Sequence, residues 1–195
     1  MNYRAHVDEM KDLLAPDPVF FFMPDTALLV NNKPFFYPDF SSRMEYETEL
    51  VVKICRNGRS VDPRFAQRYY AEVTVGIDLT ARDLQLHCKE AGLPWEIAKG
   101  FDNAAPVGRF VPLGDRSVQD LHFRLDLNGE TVQEGFTGDM ITPVDDLIAG
   151  LSQYFTIRAG DLLFTGTPQG VGPVHVGDRL QAWLEDELLL DFCIR

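Results

Sequence analysis

Cysteine is scarce in this sequence. The chain has three cysteines, Cys55, Cys88 and Cys193, and their odd number and spacing match neither a disulfide framework nor a metal-binding motif. We therefore expect reduced thiols, which are typical of a reducing compartment, and we predict a cytoplasmic protein.

Long hydrophobic runs are also missing. No apolar stretch approaches the roughly 18 residues that a membrane-spanning helix needs. The opening residues, MNYRAHVDEMKD, lack the apolar core of a signal peptide. These absences predict a soluble protein that does not use a membrane as a partner.

Positive charge is in short supply. Lys and Arg number 18 against 30 Asp and Glu, which leaves a net charge of −12 at pH 7. Such an acidic protein repels nucleic-acid phosphates and anionic lipid, so we expect neither as a partner. It also repels small anions, so an anionic substrate would need local cations in its binding site.

Several motifs of well-known enzyme classes are absent. The glycine-rich stretch TGTPQGVGPVHVG (165–177) lacks the G-K-[ST] of a phosphate-binding loop, and no G-x-S-x-G motif occurs. The histidines are scattered without the spacing of a zinc site. We expect Thr165 and Thr167 to present hydroxyl groups at a strand end instead.

Short apolar segments predict a β-rich α+β fold. At 195 residues the chain fits one domain, residues 1–195, and its strands and helices do not alternate as in a βαβ protein. The predicted strands are 18–23, 27–30, 34–38, Glu45–Cys55, 71–77, Leu121–Leu127, Thr131–Glu134 and further strands after Gly160, with hairpin turns at Asn57-Gly58 and Asn128-Gly129. The predicted helices run to Leu14, over Pro63–Tyr70, from a capping box at Thr80 and Asp83 to about Ala91, and over Val144–Phe155.

Acidic residues alternate along the strongest predicted strand. Glu45, Glu47 and Glu49 share one face of that strand, because side chains two apart point the same way. Asp78 lies where the strand 71–77 ends, which is a suitable place for a third carboxylate. Oxygen ligands favour Mg²⁺, Mn²⁺ or Ca²⁺ over zinc. A solvated edge strand with outward-facing charges would give the same pattern.

Other polar residues have spacings compatible with catalysis. Arg82 and Gln85 lie three apart at the start of a predicted helix, where anions bind well, although a surface salt bridge would also explain Arg82. His6 and Glu9 are neighbours on the N-terminal helix, as in a general base with its orienting carboxylate or in an ordinary helix pair. Lys99 lies among apolar residues, which indicates either a functional lysine or one that extends to solvent.

Taken together, these segments resemble the fumarylacetoacetate hydrolase superfamily, most closely its acylpyruvase and oxaloacetate decarboxylase branch. The likeness runs in order through NYRAH..E (2–9), DPVFFFMPDTALL (17–29), EYETELVVKI (45–54), GIDLTARDLQ (76–85), GLPWEIAKGFDNAAPVG (92–108) and GDLLFTGTPQGVGPV (160–174). The resemblance implies a mixed β-roll or sandwich with short peripheral helices, assembled as a homodimer.

The resemblance also implies a set of site residues. Glu47, Glu49 and Asp78 match ligands of Mg²⁺ or Mn²⁺. His6 and Glu9 match a dyad that activates water, on a helix that orders as a lid over bound substrate. The positions that hold the substrate carboxylate and developing oxyanions are matched by Arg82, Gln85, Lys99 and Thr167.

The sequence departs from the family pattern in three places. A β-strand is expected before the Asn-Tyr motif, whereas the sequence starts at that motif. Met23 stands where lysine is frequent, and Glu45 where histidine often precedes the tyrosine.

The implied substrate is a small anionic 2-oxo acid that chelates the cation. The implied reactions are acylpyruvate hydrolysis at a carbon–carbon bond and oxaloacetate decarboxylation, which share a pyruvate enolate. Two alternatives stay open: an isomerase or hydratase of dienoic 2-oxo acids, and an oxo-acid binding protein without catalysis.

Overall fold

Short strands dominate the protein, of which the computed structural model describes residues 2–10 and 18–195. The strands in those ranges are β1 (Leu28–Leu29), β2 (Met44–Tyr46), β3 (Thr48–Ile54), β4 (Tyr70–Ile77), β5 (Thr80–Ala81), β6 (Ala105–Pro106), β7 (Val111–Pro112), β8 (His122–Leu127), β9 (Glu130–Phe136), β10 (Leu162–Phe164), β11 (Gly172–Pro173), β12 (Arg179–Leu184) and β13 (Glu187–Cys193). The α-helices there are α1 (Arg4–Met10), α2 (Arg82–Ala91), α3 (Glu96–Lys99) and α4 (Val144–Tyr154).

Two antiparallel four-stranded sheets form the body of the fold. Their strand orders are β10-β3-β4-β7 and β13-β12-β8-β9. Strand β3 reads TELVVKI, and its apolar run is typical of a strand covered on both faces. One large hydrophobic cluster joins the two sheets, from Leu50 and Val75 in the first to Leu125 and Leu180 in the second.

Two smaller sheets bring distant segments to the edge of the first sheet. Strands β11, β2 and β5 pair antiparallel, and β1 pairs parallel with β6. Because Glu45 in β2 lies opposite Thr80 in β5, the start of the acidic segment meets the start of α2.

The C-terminal end of helix α2 agrees with the sequence, whereas its N-terminal cap does not. Helix α2 ends at Gly92, whose left-handed φ of 64° is the usual glycine C-cap. The predicted capping box at Thr80 is wrong, because α2 follows Ala81 without a side-chain cap. The Thr80 hydroxyl instead donates to the Asp78 carbonyl and accepts from Lys99.

Several predicted strands and turns differ from the structure. Residues 18–23 form no strand, and 34–38 contribute one bridge, from Phe35 to Ile194. No tight hairpin forms at Asn57-Gly58, because the chain passes through a 3₁₀ helix at Pro63–Arg68 before β4. The turn at Asn128-Gly129 is confirmed by positive φ values of 54° and 86°. The predicted continuation of α1 to Leu14 lies outside the described residues.

The β-rich α+β fold with short helices is confirmed. Its sheets account for most of the regular structure, and α4 packs its Val144, Ile148 and Leu151 side chains against the core. Across residues 2–10 and 18–195, no helix combines the length and the apolar character that crossing a membrane requires.

Candidate active site

Three carboxylates from two strand ends meet in the protein interior. Glu47 lies between β2 and β3, Glu49 lies in β3, and Asp78 follows β4. One oxygen from each carboxylate lies within 4.8 Å of the other two, and all three side chains are buried. Their burial excludes the solvated edge strand that the alternating pattern left open.

A break in the acidic strand shapes this cluster. The sequence predicts one continuous strand from Glu45, but the structure divides it at Glu47. The Glu47 carbonyl accepts a hydrogen bond of 2.8 Å from the Asp78 N–H, which ties the break to the end of β4. The backbone therefore holds Glu47 and Asp78 side by side.

Lys99 joins the carboxylates from the end of α3. Its Nζ donates to Glu47 Oε2 at 2.8 Å, to Asp78 Oδ2 at 2.7 Å and to Thr80 Oγ1 at 2.6 Å. These three bonds use all the protons of an ammonium group. Because Lys99 is only 2% exposed, it does not extend to solvent.

Arg82 is the second buried cation of the site. Its Nε donates to Glu45 Oε2 at 2.6 Å, its Nη1 to Gln85 Oε1 at 2.6 Å and its Nη2 to Glu47 Oε1 at 2.7 Å. Glu45 also accepts from Arg43 at 2.7 Å. A surface salt bridge is excluded, since Arg82 is 3% exposed.

The surroundings move the pKa values of the three carboxylates apart. Burial raises the pKa of Glu47, but the nearby charges of Lys99 and Arg82 outweigh burial and lower that pKa to about 2. Burial and the neighbouring Asp78 and Glu47 carboxylates raise the pKa of Glu49 to about 8. Burial raises the pKa of Asp78 to about 6 against the attraction of Lys99. Bringing a divalent cation to these oxygens would relieve this repulsion.

The residues present fit a hard divalent cation. Within the described residues, Asp78 Oδ1 is buried and has no hydrogen-bond partner, so it is available as a ligand. Oxygen-only donors favour Mg²⁺, Mn²⁺ or Ca²⁺ over zinc. With every group ionised, the buried carboxylates of the cluster outnumber its buried cations by two, a difference that one divalent ion would neutralise; the groups counted are Glu45, Glu47, Glu49, Asp78, Lys99 and Arg82.

His6 and Glu9 form a pair on α1. His6 Nδ1 lies 3.2 Å from Glu9 Oε2, and Glu9 Oε1 accepts from the Gly170 N–H at 3.0 Å. Burial lowers the pKa of His6, and this effect outweighs the opposite influence of Glu47 and Glu9. At neutral pH the imidazole is therefore neutral. With Nδ1–H directed at the carboxylate, Nε2 keeps its lone pair.

Comparison with known proteins identifies the family. The model of the fumarylacetoacetate hydrolase C-terminal region matches residues 1–190. This chain belongs to the fumarylacetoacetate hydrolase family. The match covers the α1 pair, the carboxylate cluster and both buried cations.

Two members of the family that resemble the chain have names that refer to the 2-oxo acid oxaloacetate. The mitochondrial oxaloacetate tautomerase FAHD1 of Mus musculus is 36% identical over 197 residues, covering 100% of this chain and 88% of the relative. The oxaloacetate tautomerase YcgM of Escherichia coli is 40% identical over 181 residues, covering 92% and 83%.

A solved structure of the same family carries a metal and a ligand. Fumarylpyruvate hydrolase from Pseudomonas aeruginosa, in complex with Mn²⁺ and pyruvate, superposes with a TM-score of 0.92 at 35% identity, covering 99% of this chain and 85% of that one. A divalent metal is therefore bound in one solved relative of similar fold.

In the present protein, the loop after β10 lies next to the carboxylate cluster. The Gly166 N–H donates to Glu49 Oε2 at 2.7 Å. Thr167 is buried, and its hydroxyl accepts from Gln133 Nε2 at 3.0 Å. Thr167 is therefore placed beside the carboxylate cluster, linked to it through the adjacent glycine.

Asn2 fastens this loop to the start of α1. Its Nδ2 donates to the carbonyls of Thr142 and Thr165 at 2.9 Å each, and its Oδ1 accepts from the Thr142 N–H at 2.7 Å. A Cβ on Gly166 would lie 2.7 Å from the Asn2 Cβ, and Gly166 has a φ of +100°. Only glycine allows the loop and Asn2 to approach so closely.

Two of the three departures from the family pattern, Glu45 and Met23, lie in different surroundings. Glu45 is part of the buried network through Arg82 and Arg43. Met23 is partly buried and packs against Ala27 and Ala105. Glu45 therefore takes part in the charged network of the site, whereas Met23 takes part in an apolar contact.

Three members of this site are not predicted from the sequence. Thr80 has the spacing of a helix cap, Gln133 has no signal in the pattern of apolar residues, and Gly166 has a signal only in its position. A regular strand would place Gln133 on the face opposite to the apolar Val132 and Phe136, so periodicity does not mark Gln133 as buried. The signal for Gly166 is its position directly before Thr167 at a strand end.

Proposed function

We propose that the protein catalyses keto–enol interconversion of a small 2-oxo acid, with oxaloacetate as the substrate, in a reaction that depends on a divalent metal. The observation that carries this proposal is the buried cluster of Glu47, Glu49 and Asp78 with the free Oδ1 of Asp78. The names of the mouse and E. coli relatives support oxaloacetate as the substrate.

The three carboxylates would hold Mg²⁺ or Mn²⁺. When bound, the cation would attract the carboxylate and keto oxygens of the substrate and stabilise negative charge on the keto oxygen. This provides the local positive charge that an anion needs in an acidic protein.

Lys99 and Arg82 are charge-stabilising groups rather than bases. Burial lowers the pKa of Lys99, but its carboxylate partners outweigh burial and raise that pKa, so the ammonium stays protonated. Arg82 orients Gln85 through a 2.6 Å hydrogen bond. These groups support negative charge beside the cluster and do not carry the transferred proton.

His6 is the group that moves the proton. Its Nε2 has a free lone pair, because Glu9 holds the Nδ1–H. A neutral imidazole can take a proton from the substrate carbon and return it to the enolate oxygen, which converts the keto form into the enol, and the reverse transfer converts the enol into the keto form. The Glu9–Gly170 bond keeps the pair in place over the loop that carries Thr167.

The test is an ultraviolet assay of oxaloacetate enol decay in metal-free protein with added Mg²⁺, Mn²⁺ or EDTA. We expect acceleration over buffer only with the metal. A Glu47→Gln variant should lose metal binding and turnover. Full activity in EDTA would contradict the proposal.

A second candidate is hydrolysis of acylpyruvates at a carbon–carbon bond. The His6–Glu9 pair favours it, because a neutral imidazole oriented by a carboxylate also activates water. Gln85 would then donate to the oxyanion, and Lys99 would stabilise it through its charge, since the Lys99 protons are bonded to Glu47, Asp78 and Thr80. Release of pyruvate from acetylpyruvate would favour this activity, and His6→Ala should impair it far more than oxaloacetate decarboxylation.

Two further outcomes separate the remaining alternatives. Isomerisation or hydration of a dienoic 2-oxo acid without pyruvate release would favour an isomerase or hydratase. A solved relative named for such an activity is the 2-hydroxyhepta-2,4-diene-1,7-dioate isomerase from Mycobacterium marinum, with a TM-score of 0.86 and 33% identity. Oxalate binding without turnover of any oxo acid would favour a binding protein.

A further inference from the structure

Strand β9 contains an irregularity next to the site. Leu125 of β8 pairs with Gln133, and the next residue, Asp126, pairs with Thr131, so Val132 is an extra residue in β9. Such a bulge redirects the side chains that follow it. Here it turns Gln133 into the protein, where it is 2% exposed.

The buried amide of Gln133 makes a bond on each side of the site. Its Oε1 accepts from the Thr48 N–H at 2.9 Å. Its Nε2 donates to Thr167 Oγ1 and to the Pro168 carbonyl, at 3.0 Å each. A longer contact of 3.4 Å reaches the Gln169 carbonyl.

The Thr48 N–H needs this acceptor. Thr48 stands between the two glutamates of the cluster, and β10, the neighbour of β3 on one side, ends at Phe164 opposite Val51. Residues two apart in a strand face the same neighbour, so Thr48 faces the same side as Leu50, whose carbonyl accepts from Thr165. Beyond the end of β10, the Gln133 oxygen replaces the missing strand partner.

The other end of Gln133 holds the loop that carries Thr167. The bonds to Thr167 and Pro168 lie directly before Gly170, whose N–H binds Glu9. The Val132 carbonyl also packs against Gly170, where an added Cβ would lie 2.5 Å from that oxygen. The bulge and its glutamine together set the position of this loop.

We propose that Gln133 is a positioning residue that couples the metal-binding strand to the substrate loop. The inference rests on the proposed function, because it assigns Gln133 to the same metal and substrate site. Gln133 contacts neither the metal nor the substrate. It acts through Thr48 on the spacing of Glu47 and Glu49, and it acts through Thr167 on the position of the loop.

Two variants separate the two ends of the amide. Gln133→Met keeps the length of the side chain and removes both the acceptor toward Thr48 and the donors toward the loop. Gln133→Glu keeps the acceptor for Thr48 and weakens the contacts with the loop, because a carboxyl group has at most one proton where the amide has two. Glu134→Met, at the exposed next position of β9, is the matched control.

The measurements are amide hydrogen exchange at Thr48 in metal-free protein, Mn²⁺ affinity by electron paramagnetic resonance, and the separate values of kcat and KM for oxaloacetate. For Gln133→Met we expect faster Thr48 exchange and Mn²⁺ affinity at least about ten-fold weaker, as for other groups that orient metal ligands. For Gln133→Glu we expect protected Thr48, Mn²⁺ affinity within about three-fold of wild type, and kcat/KM lower by at least about ten-fold. Glu134→Met should match wild type.

Contrary results are easy to recognise. Unchanged Thr48 exchange and Mn²⁺ affinity in Gln133→Met would overturn the role of Gln133, and so would wild-type kcat/KM in Gln133→Glu. If Gln133→Met does not fold, the Gln133→Glu measurements decide. A wild-type protein that binds no Mn²⁺ would overturn the proposed function, whereas the Thr48 exchange comparison, made without metal, would still decide the structural role of Gln133.

Discussion

Replacing either of two neighbouring glutamates by glutamine should change the stability of the metal-free protein in opposite directions. Glu49 has a pKa of about 8 in the folded protein against an ordinary value of 4.5. Because the folded state holds a proton that the unfolded state releases, Glu49 reduces stability as pH rises from 4.5 toward 8. Glu47 has a pKa of about 2, so its contribution is present above pH 4.5 and is lost as pH falls toward 2.

The magnitude follows from 1.36 kcal/mol for each pH unit. At pH 7, Glu49 lowers the free energy of unfolding by about 3 kcal/mol, a cost that Glu49→Gln removes while its side-chain oxygen still accepts from Gly166. At pH 5 the difference falls below about 1 kcal/mol. Glu47→Gln should lose about 3 to 5 kcal/mol at pH 7, because it leaves Lys99 and Arg82 buried with weakened pairing.

The assay is urea unfolding in EDTA at pH 5 and pH 7, repeated with excess Mg²⁺. Glu49→Gln should be the most stable protein in EDTA at pH 7 and should gain nothing from Mg²⁺, whereas wild type should be stabilised by the ion. The reasoning fails if Glu49→Gln is no more stable than wild type in EDTA at pH 7, or if its advantage is the same at pH 5.

Three further predictions concern the same region. Mg²⁺ or Mn²⁺ should displace the proton that Glu49 holds below pH 8, so metal affinity should rise with pH from 6 to 8; calorimetry in two buffers of different ionisation enthalpy would detect that proton, and equal heats would contradict it. Gly166→Ala should lower the free energy of unfolding by about 1 to 3 kcal/mol, since the alanine must adopt a φ of +100° against Asn2; a neutral result in urea unfolding would count against the close approach. Asn2→Ala should lose about 2 to 4 kcal/mol with its three hydrogen bonds, and the Gly166 amide should exchange faster; unchanged exchange would show that Asn2 does not hold the loop.

Local patterns predicted the regular elements well where they were long. Strand β8, the Asn128-Gly129 turn and α4 agree with the sequence to within a residue or two, because apolar periodicity and turn residues act locally. The segment 18–23 does not form the predicted strand, since its aromatic residues pack on other elements: Phe21 lies 6.1 Å from Trp95 and Phe22 lies 4.7 Å from Phe155 between ring centres. Tertiary contacts of this kind leave no period in the sequence.

The carboxylates, the buried cations and the α1 pair of the site are predictable from the sequence, whereas Thr80, Gln133, Gly166 and the bonds that connect the site are not. The alternating glutamates and Asp78 indicated a metal cluster, and the resemblance added the roles of Lys99, Arg82 and the α1 pair. The bonds that hold them depend on residues far apart in sequence, such as Gln133 with Thr48. A homodimer stays a prediction.

The interruption of the acidic strand at Glu47 has a consequence for ion choice. Glu47 lies at the break before β3, Glu49 lies within β3, and Asp78 follows β4, the strand that pairs with β3, so backbone hydrogen bonds hold the three carboxylate-bearing residues at a fixed spacing. A binding site with such fixed spacing resists the expansion that a larger ion requires. We therefore expect Ca²⁺ to bind more weakly than Mg²⁺ or Mn²⁺, because the stiff sheet does not adjust to the larger ion.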